Sequence, residues 1–436
     1  MKYMDRYFHS VTLEKDLCVG CTNCIKRCPT QAIRVRGGKA QIISERCIDC
    51  GECIRVCPHH AKKARHDSLS MLENYEYTIA LPAPALYGQF NHLDDIDFVL
   101  NGLIDLGFDD IFEVSRGAEI VSDATRQLMN DGKLKKPVIS SACPAVVRLI
   151  RVRFPDLCDQ VLPLKSPMEV SAMLAREEAM KKTGLSADKI GIFFISPCAA
   201  KVTDVRVPIG IEHSRVDGVL AISDIYPQLV GKMNKVEKVK PLSNCGIIGV
   251  SWSCIGGEAA GLLNENHLSA DGIENVIQVL EELEDEKLQD LDFIELNACA
   301  GGCVGGIFAA ENGYVAKARI QRLRKYLPVS CNRMEDIGRA ASLQWTQPLE
   351  YTPVMKLAVN VEDAMRLMQE IDCINARLPQ LDCGSCGAPA CRALAEDIVR
   401  GLANENDCIF LMRQKIQEIA AELSQIEKSS VSSKDM

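Results

Sequence analysis

No uninterrupted apolar run in this sequence reaches the ~18 residues that a membrane-spanning helix needs, so no membrane association is expected. The opening stretch, MKYMDRYFHS, is charged and lacks the apolar core of a secretory leader, which predicts a cytoplasmic chain. A basic excess is missing as well. With 50 Lys and Arg against 59 Asp and Glu the formal charge is −9, and no nucleic-acid partner is expected. What is abundant is cysteine, 21 in 436 residues. Small secreted domains use such numbers for disulfides, but this chain is long enough for two or three domains with sizeable cores. Its 47% apolar and 25% charged residues fit a globular protein, so the cysteines are expected to bind metal as thiolates.

Residues 18–29 read CVGCTNCIKRCP and residues 47–58 read CIDCGECIRVCP; both are C-x2-C-x2-C-x3-C-P. The pattern resembles the bacterial two-cluster ferredoxin run, in which the fourth cysteine of each run ligates the other cluster. The resemblance implies one 4Fe–4S cluster on Cys18, Cys21, Cys24 and Cys57, and another on Cys47, Cys50, Cys53 and Cys28. Tight turns eased by Gly20 and Gly51 let three thiolates converge on one face of a cube, and Pro29 and Pro58 then turn the chain away. Zinc is the alternative, although its usual signature is paired CxxC units rather than two matching runs ending in Pro. His59 and His60 are expected at the surface, outside the ligand set.

Near the other end, residues 383–391 read CGSCGAPAC, and the candidate ligands there are Cys383, Cys386, Cys391 and Cys408. The run from Pro389 to Leu402 has a helical pattern, with Ala393, Ala395, Ile398 and Leu402 on one side. This segment resembles a small 4Fe–4S module with a CxxCGxPxC core, found in anaerobic electron-transfer proteins. Four cysteines at mixed spacing also suit zinc, and that alternative stays open here. Beyond the module, Ile416, Ile419, Leu423 and Ile426 recur at helical spacing. They predict one amphipathic helix, serving either as a connector to a signalling partner or as a helix packed on the module. The final SSVSSKDM is expected to be frayed.

From about residue 76 to 345 the pattern changes. YTIALPAP, DDIFEVS, KPVISSACP, KIGIFFISPC, DGVLAIS and LDFIELNAC read as short buried strands. Helical patterns lie among them: DIDFVLNGLIDLG, AEIVSDATRQLMNDG, EVSAMLAREEAMKKTG and ADGIENVIQVLEELEDE. Strands alternating with helices predict an α/β domain with mostly parallel sheets. Three of these strands run into a cysteine: Cys143, Cys198 and Cys299, the last with Cys303 close behind among glycines. Ligands of open α/β sheets sit beyond the carboxyl ends of the strands, so these four thiols are expected to converge on an iron–sulfur cluster.

SSACPAV (140–146), SPCAAK (196–201) and ELNACAGGCVGG (295–306) resemble the three signature motifs of the iron-only (FeFe) hydrogenases, which read TSCCPxW, MPCxxK and ExMACxxGCxGG. LPAPA (81–85) and KSP (165–167) match the family as well. The resemblance implies an H-cluster, a 4Fe–4S cube joined through one cysteine to a two-iron site with CO, cyanide and a bridging dithiolate amine. By motif position Cys143, Cys198, Cys299 and Cys303 hold the cube and Cys303 bridges to the two-iron site. Lys201 bonds a cyanide, and Ala83, Pro84, Ala142, Ser196, Pro197 and Asn297 fall at pocket positions. Three further 4Fe–4S clusters complete the expected cofactor set. Protons and hydrogen are the implied substrates; ferredoxin is the implied electron partner, and maturation proteins would load the site.

Several positions depart from the family. A cysteine that carries protons to the bridging amine is replaced by Ala142, and methionines of the second and third motifs by Ser196 and Asn297. The usual acidic residues and serine of the proton path are absent from VSDATRQ (121–127) and VLPLKSP (161–167), and the family's GGGQP is GGIFAA here. These changes predict slow turnover and resemble a divergent branch often proposed to be sensory. Within GVSWSCIGGEAAG (249–261), Cys254 and Glu258 are candidates for a substitute proton relay; the alternatives are a buried thiol and a helix cap. Cys158, Cys245, Cys331 and Cys373 have no spacing partners and read as ordinary thiols.

The expected layout is a two-cluster ferredoxin-like domain at 1–72, a central α/β H-cluster domain at 73–350, a small C-terminal 4Fe–4S domain at 353–412 and a helical tail at 413–436. The expected function is an FeFe hydrogenase that interconverts protons and electrons with hydrogen, slowly, as a hydrogen or redox sensor. A non-catalytic iron–sulfur carrier or assembly protein related to the hydrogenases is the alternative. An electron-transfer subunit using only the outer clusters leaves the three central motifs unexplained.

Overall fold

The segment IGIFFIS offers no polar face, and a strand of that kind is stable only where both sides are covered. In the computed structural model it is a strand, Ile190–Ser196, with all seven residues buried. The structure describes residues 8–236, 238–334, 341–354 and 356–432, with side chains to residue 426. Two units share the chain: Met1–Thr12, Ile48–Gly51 and Lys63–Thr352 form one, and Leu13–Cys47, Glu52–Lys62 and Pro353–Met436 the other. Most of the ferredoxin-like residues and the C-terminal module, read from sequence as separate domains, thus fall in a single unit.

In the first unit the strands are β1 (Tyr77–Pro82), β2 (Asp110–Ile111), β3 (Val138–Ile139), β4 (Ile190–Ser196), β5 (Gly218–Ala221), β6 (His267–Asp271) and β7 (Phe293–Asn297). The helices that position the site or cover the sheets are α1 (Asp97–Leu106), α2 (Val114–Asn130), α3 (Pro144–Arg153), α4 (Pro167–Thr183), α5 (Ala199–Arg206), α6 (Ile222–Met233), α7 (Gly257–Gly261), α8 (Ile273–Glu284) and α9 (Gly313–Leu323). One sheet runs β2-β1-β4-β5 and the other β6-β7-β3, with every pairing parallel. Mostly parallel sheets in a mixed α/β fold are what the alternating pattern predicts.

Alternate residues of β4 serve two cores. Phe193 and Ile195 pack with Leu100, Leu103, Ile225 and Leu229 of α1 and α6. Ile192 and Phe194 face the opposite cluster, which also takes Met168 of α4, Val121 of α2, and Val138 and Phe293 of the second sheet. The other face of that sheet buries Ile294 and Leu296 against α3 and α8. The first sheet and the second therefore share one apolar layer, which brings their carboxyl ends to a common region.

All six expected strands and the four expected helices are present. Strand β6 is an addition; its five residues are only half-buried, so HLSAD carries no apolar alternation. Helices α3, α5, α6 and α9 are further additions. Two of them start directly at a motif cysteine, where the sequence reads as a ligand loop.

The second unit holds an antiparallel hairpin, Ile33–Arg36 with Lys39–Ile42, the short helices Asn23–Lys26 and Glu52–Arg55, and the helices α10 (Val361–Arg377), α11 (Cys391–Val399) and α12 (Ile409–Ser432). The expected tail helix begins four residues early, directly after Cys408. It continues to Ser432, so the first half of SSVSSKDM is helical rather than frayed, while residues 433–436 lie outside the described residues. Ile416, Ile419, Leu423 and Ile426 are exposed, so this stretch is not packed on the module. No helix among the described residues is long and apolar enough to cross a membrane.

Candidate metal centre

Three loops leave the carboxyl ends of the two sheets and meet. Cys143 follows β3 and occupies the cap position of α3, with Pro144 as the first helical residue. Cys198 follows β4 and caps α5 in the same way. Cys299 lies two residues beyond β7, and Cys303 opens the single 3-10 turn Cys303–Gly305. All four line one cavity of about 860 Å³. Close approach of the second and third motifs depends on Gly306, where a Cβ would stand 2.1 Å from the carbonyl oxygen of Pro197. Phe308 N donates to that same carbonyl at 3.0 Å.

The thiols resist ionising together. The Cys198 thiol is pushed up to about 12, first by burial and then by Cys299 and Cys143. Cys303 is raised well above its ordinary value, by burial and by the three other cysteines. Bare thiolates at such spacing are costly, and metal cations are the charges that make them stable. The helix N-termini behind Cys143 and Cys198 add partial positive charge. This donor set therefore fits an iron–sulfur cube.

The cavity extends past the thiols along apolar walls that include Ala83, Pro84, Val114, Met168, Phe194 and Trp252. Ala142, Pro197, Lys201 and Asn297 also lie on the wall. Lys201 Nζ is 3.2 Å from Asp204 Oδ2, three residues on in the same helix. Ser196, expected at a pocket position, is fully buried off the wall. Its Oγ accepts from Cys198 N at 3.0 Å and donates to Cys198 O at 3.1 Å, so it shapes the Cys198 turn instead.

A carboxyl pair closes one side. Ser140 Oγ donates to Glu258 Oε2 at 2.7 Å, and both glutamates, Glu258 and Glu295, line the cavity. Glu295 accepts from Gly256 N at 3.0 Å, Ala259 N at 2.9 Å and Asn297 Nδ2 at 3.1 Å. The capping of α7 expected as one alternative for Glu258 is thus performed by Glu295. Burial pushes the Glu258 carboxyl up to about 8, with the Glu295 charge adding to it. Glu295 is raised too, again by burial, but its three N–H donors favour the anion. Glu258 therefore holds the proton and Glu295 the charge. Cys254, the other relay candidate, sits off the cavity wall in the apolar cluster around Leu86 and Val250; Ser253 faces the cavity in its place. Ser140 and Glu295 escape sequence reasoning, although Glu295 opens the third motif.

The remaining cysteines divide by unit. In the second, Cys18, Cys21, Cys24 and Cys57 line a cavity of about 340 Å³, so residues from both runs meet there. His59 is exposed and reaches its rim. Cys18 Sγ accepts from Ala40 N at 3.4 Å and Cys57 Sγ from Ala61 N at 3.3 Å, contacts of the kind that tune a cluster's potential. Cys28 accepts from Ala32 N at 3.2 Å. Cys28, Cys47 and Cys53 belong to this unit, whereas Cys50 belongs to the first, packed on the apolar cluster that Cys143 and Cys198 also touch. In the C-terminal module Cys386, Cys391 and Cys408 share one small core. The Cys386 thiol is raised by burial and by the nearby Cys383 and Cys408.

The family described as iron only hydrogenase large subunit, C-terminal domain, matches residues 76–248 and 258–307, more than half of the chain. A 4Fe-4S dicluster domain matches residues 10–58, and an Fe-S cluster family matches residues 378–410. Among curated proteins, the NADP-reducing hydrogenase subunit HndD of Solidesulfovibrio fructosivorans is 24% identical over 45% of this chain and 32% of its own length. Iron hydrogenase 1 of Clostridium pasteurianum is 23% identical over 70% of this chain and 66% of its own. The chain thus spans less than two thirds of the length of these relatives. A solved structure of the FeFe-hydrogenase HydA1 from Chlamydomonas reinhardtii is 16% identical and covers 58% of this chain and 86% of that one, with a TM-score of 0.47. With its thiol-lined cavity at the carboxyl ends of two parallel sheets and its flanking iron–sulfur segments, the chain belongs to the iron-only hydrogenase family.

Proposed function

We propose that the protein is an FeFe hydrogenase that interconverts two protons and two electrons with hydrogen, at low turnover suited to sensing hydrogen or redox state. The observation that carries this reading is the space beyond the four thiols. A cube alone needs only Cys143, Cys198, Cys299 and Cys303, yet the same cavity continues along Ala83, Pro84, Met168 and Phe194 with Lys201 on its wall. That extension suits the two-iron part of an H-cluster, which Cys303 would hold. When bound, the H-cluster supplies the metal and the bridging amine at which protons and electrons combine.

The chain supplies the rest. Apolar walls exclude water, and Lys201 offers a cationic donor to a cyanide ligand. Glu258 carries an acid proton at the edge of the cavity, in a place where Ala142 removes the usual thiol. Cys50 packs on the same apolar cluster that Cys143 and Cys198 touch, and electrons would reach the H-cluster from the ferredoxin-type clusters. Three further 4Fe–4S clusters, a cytoplasmic setting, ferredoxin as electron partner and maturation proteins that load the two-iron site belong to the same reading. A signalling partner on the exposed face of α12 would serve the sensory role.

Ala142 on the wall also favours a second reading, a carrier that keeps the cube and never turns over. Infrared spectra of protein matured with the two-iron site separate the two. Bands from bound CO and cyanide, with hydrogen-dependent changes, are expected for the hydrogenase; their absence after maturation assigns the carrier.

A further inference from the structure

The C-terminal module is joined to the ferredoxin-type site by the backbone beside its own ligands. Val35 N donates to Gly387 O at 2.8 Å. Gly387 adjoins Cys386, and Val35 lines the cavity of Cys18, Cys21, Cys24 and Cys57. One hydrogen bond therefore links a ligand loop of one site to the wall of the other. Gly387 has φ +81°, and a Cβ there would lie 1.9 Å from Val35 O, so no side chain can separate the two strands of chain. Arg36 Nη1 donates to Cys386 O at 2.9 Å. On the other side of the loop, a Cβ on Gly384 would lie 2.8 Å from Cε of Lys26, within the short helix that carries Cys24.

Charge pins this arrangement. Asp397 of α11 receives Arg34 Nε at 2.7 Å and Arg36 Nη2 at 2.6 Å, and Glu396 receives Arg46 Nη2 at 2.6 Å. Arg34 and Asp397 are both buried, and removing one partner of such a pair leaves the other uncompensated, which makes the docking specific. Cys383, on the far edge of the same loop, is exposed to solvent.

We propose that the C-terminal four-cysteine module is the outer electron port of the protein, wired in series to the Cys18–Cys57 cluster through the Cys386–Gly387···Val35 contact. The proposal rests on the reading of both cysteine sets as 4Fe–4S ligands. The step is a single electron transfer. The inner cluster is oxidised by one electron as the outer one is reduced, no bond forms or breaks, and hydrogen oxidation or an added reductant supplies the electron.

Electron paramagnetic resonance of the full chain reduced with dithionite tests it, read together with iron and zinc per chain. The Cys383→Ala variant should lose about four irons. The wild-type spectrum should differ from that variant's spectrum plus an isolated single-cluster signal, because neighbouring spins couple. In the Arg34→Gln/Arg36→Gln variant, iron should be retained and the outer cluster's signal should become that of an isolated centre. A wild-type spectrum that is the plain sum of the two overturns the wiring while leaving the clusters in place. Zinc in the module, or iron unchanged by Cys383→Ala, overturns it by removing the cluster reading itself. If Cys383→Ala does not fold, the arginine variant against wild type decides alone: unchanged coupling overturns the proposal.

Discussion

Ser140 Oγ stands between Glu258 and the main chain of Ala142: it donates to Glu258 Oε2 at 2.7 Å and accepts from Ala142 N at 3.1 Å. A single hydroxyl thus connects the buried acid to the wall position where a titratable thiol is missing. The contrast with Glu295, held by three N–H donors, sets which carboxyl of the pair keeps its proton.

Replacement of that acid tests its use. Glu258→Gln keeps the shape and removes the exchangeable proton, so hydrogen turnover should fall on the order of a hundredfold, the usual scale for losing a general acid–base group. Iron content and infrared bands should stay as in the wild type. Unchanged turnover in the matured variant would dismiss the relay.

The same residue should leave a mark on stability. Glu258 ordinarily titrates near 4.5 and in the folded chain near 8, so between these values the folded state binds more protons than the unfolded. The contribution of the neutral acid is complete below about 4.5 and is lost as pH rises through about 8. Thermal unfolding of wild type across this window should show stability declining with pH more steeply than in Glu258→Gln.

Ser140→Ala removes a donor that favours the charged form of Glu258, and so should raise its pKa further. The alkaline limb of the pH–activity profile should move up by about one unit or less, in line with the net worth of one hydrogen bond. A shift toward acid would contradict the assignment of the proton to Glu258.

Ala142→Cys restores a titratable group to the wall. Turnover of the matured variant should rise tenfold or more, on the order of what a positioned proton carrier contributes. No gain would mean that proton supply is not what limits the wild type.

Phe293 of β7 is fully buried in the apolar layer that the two sheets share. Phe293→Ala should cost about 3–5 kcal/mol in denaturant unfolding of the full chain, the usual scale for such a truncation. Because that layer sets where the sheet ends meet, the variant should also load less iron.

Much of the fold is legible in the sequence. The apolar runs of β1, β4 and β7 declare buried parallel strands, since only strands covered on both faces lack alternation. The helices α1, α2 and α8 carry a clear apolar stripe, whereas α4 buries Pro167 to Ala172 consecutively and shows none. Strand β6 is not legible, because its half-buried residues take their pairing from β7 rather than from their own pattern. Helices α3 and α5 hide behind the motif cysteines that cap them. The cysteine positions of the motifs are plain in the sequence, but that Ser196 turns inward and Cys254 leaves the wall depends on side-chain direction, which spacing does not encode.

By itself the sequence determined which cysteines lie close along the chain, because the first three thiols of a C-x2-C-x2-C-x3-C run are only three residues apart. Only the tertiary structure decided that Cys143, Cys198, Cys299 and Cys303 share one cavity, that Glu295 rather than Glu258 caps α7, and that the C-terminal loop at Gly387 meets the hairpin at Val35. Those relations join residues far apart in the chain. They follow from strand order and from how two sheets and a small second core pack, and no local spacing can express them.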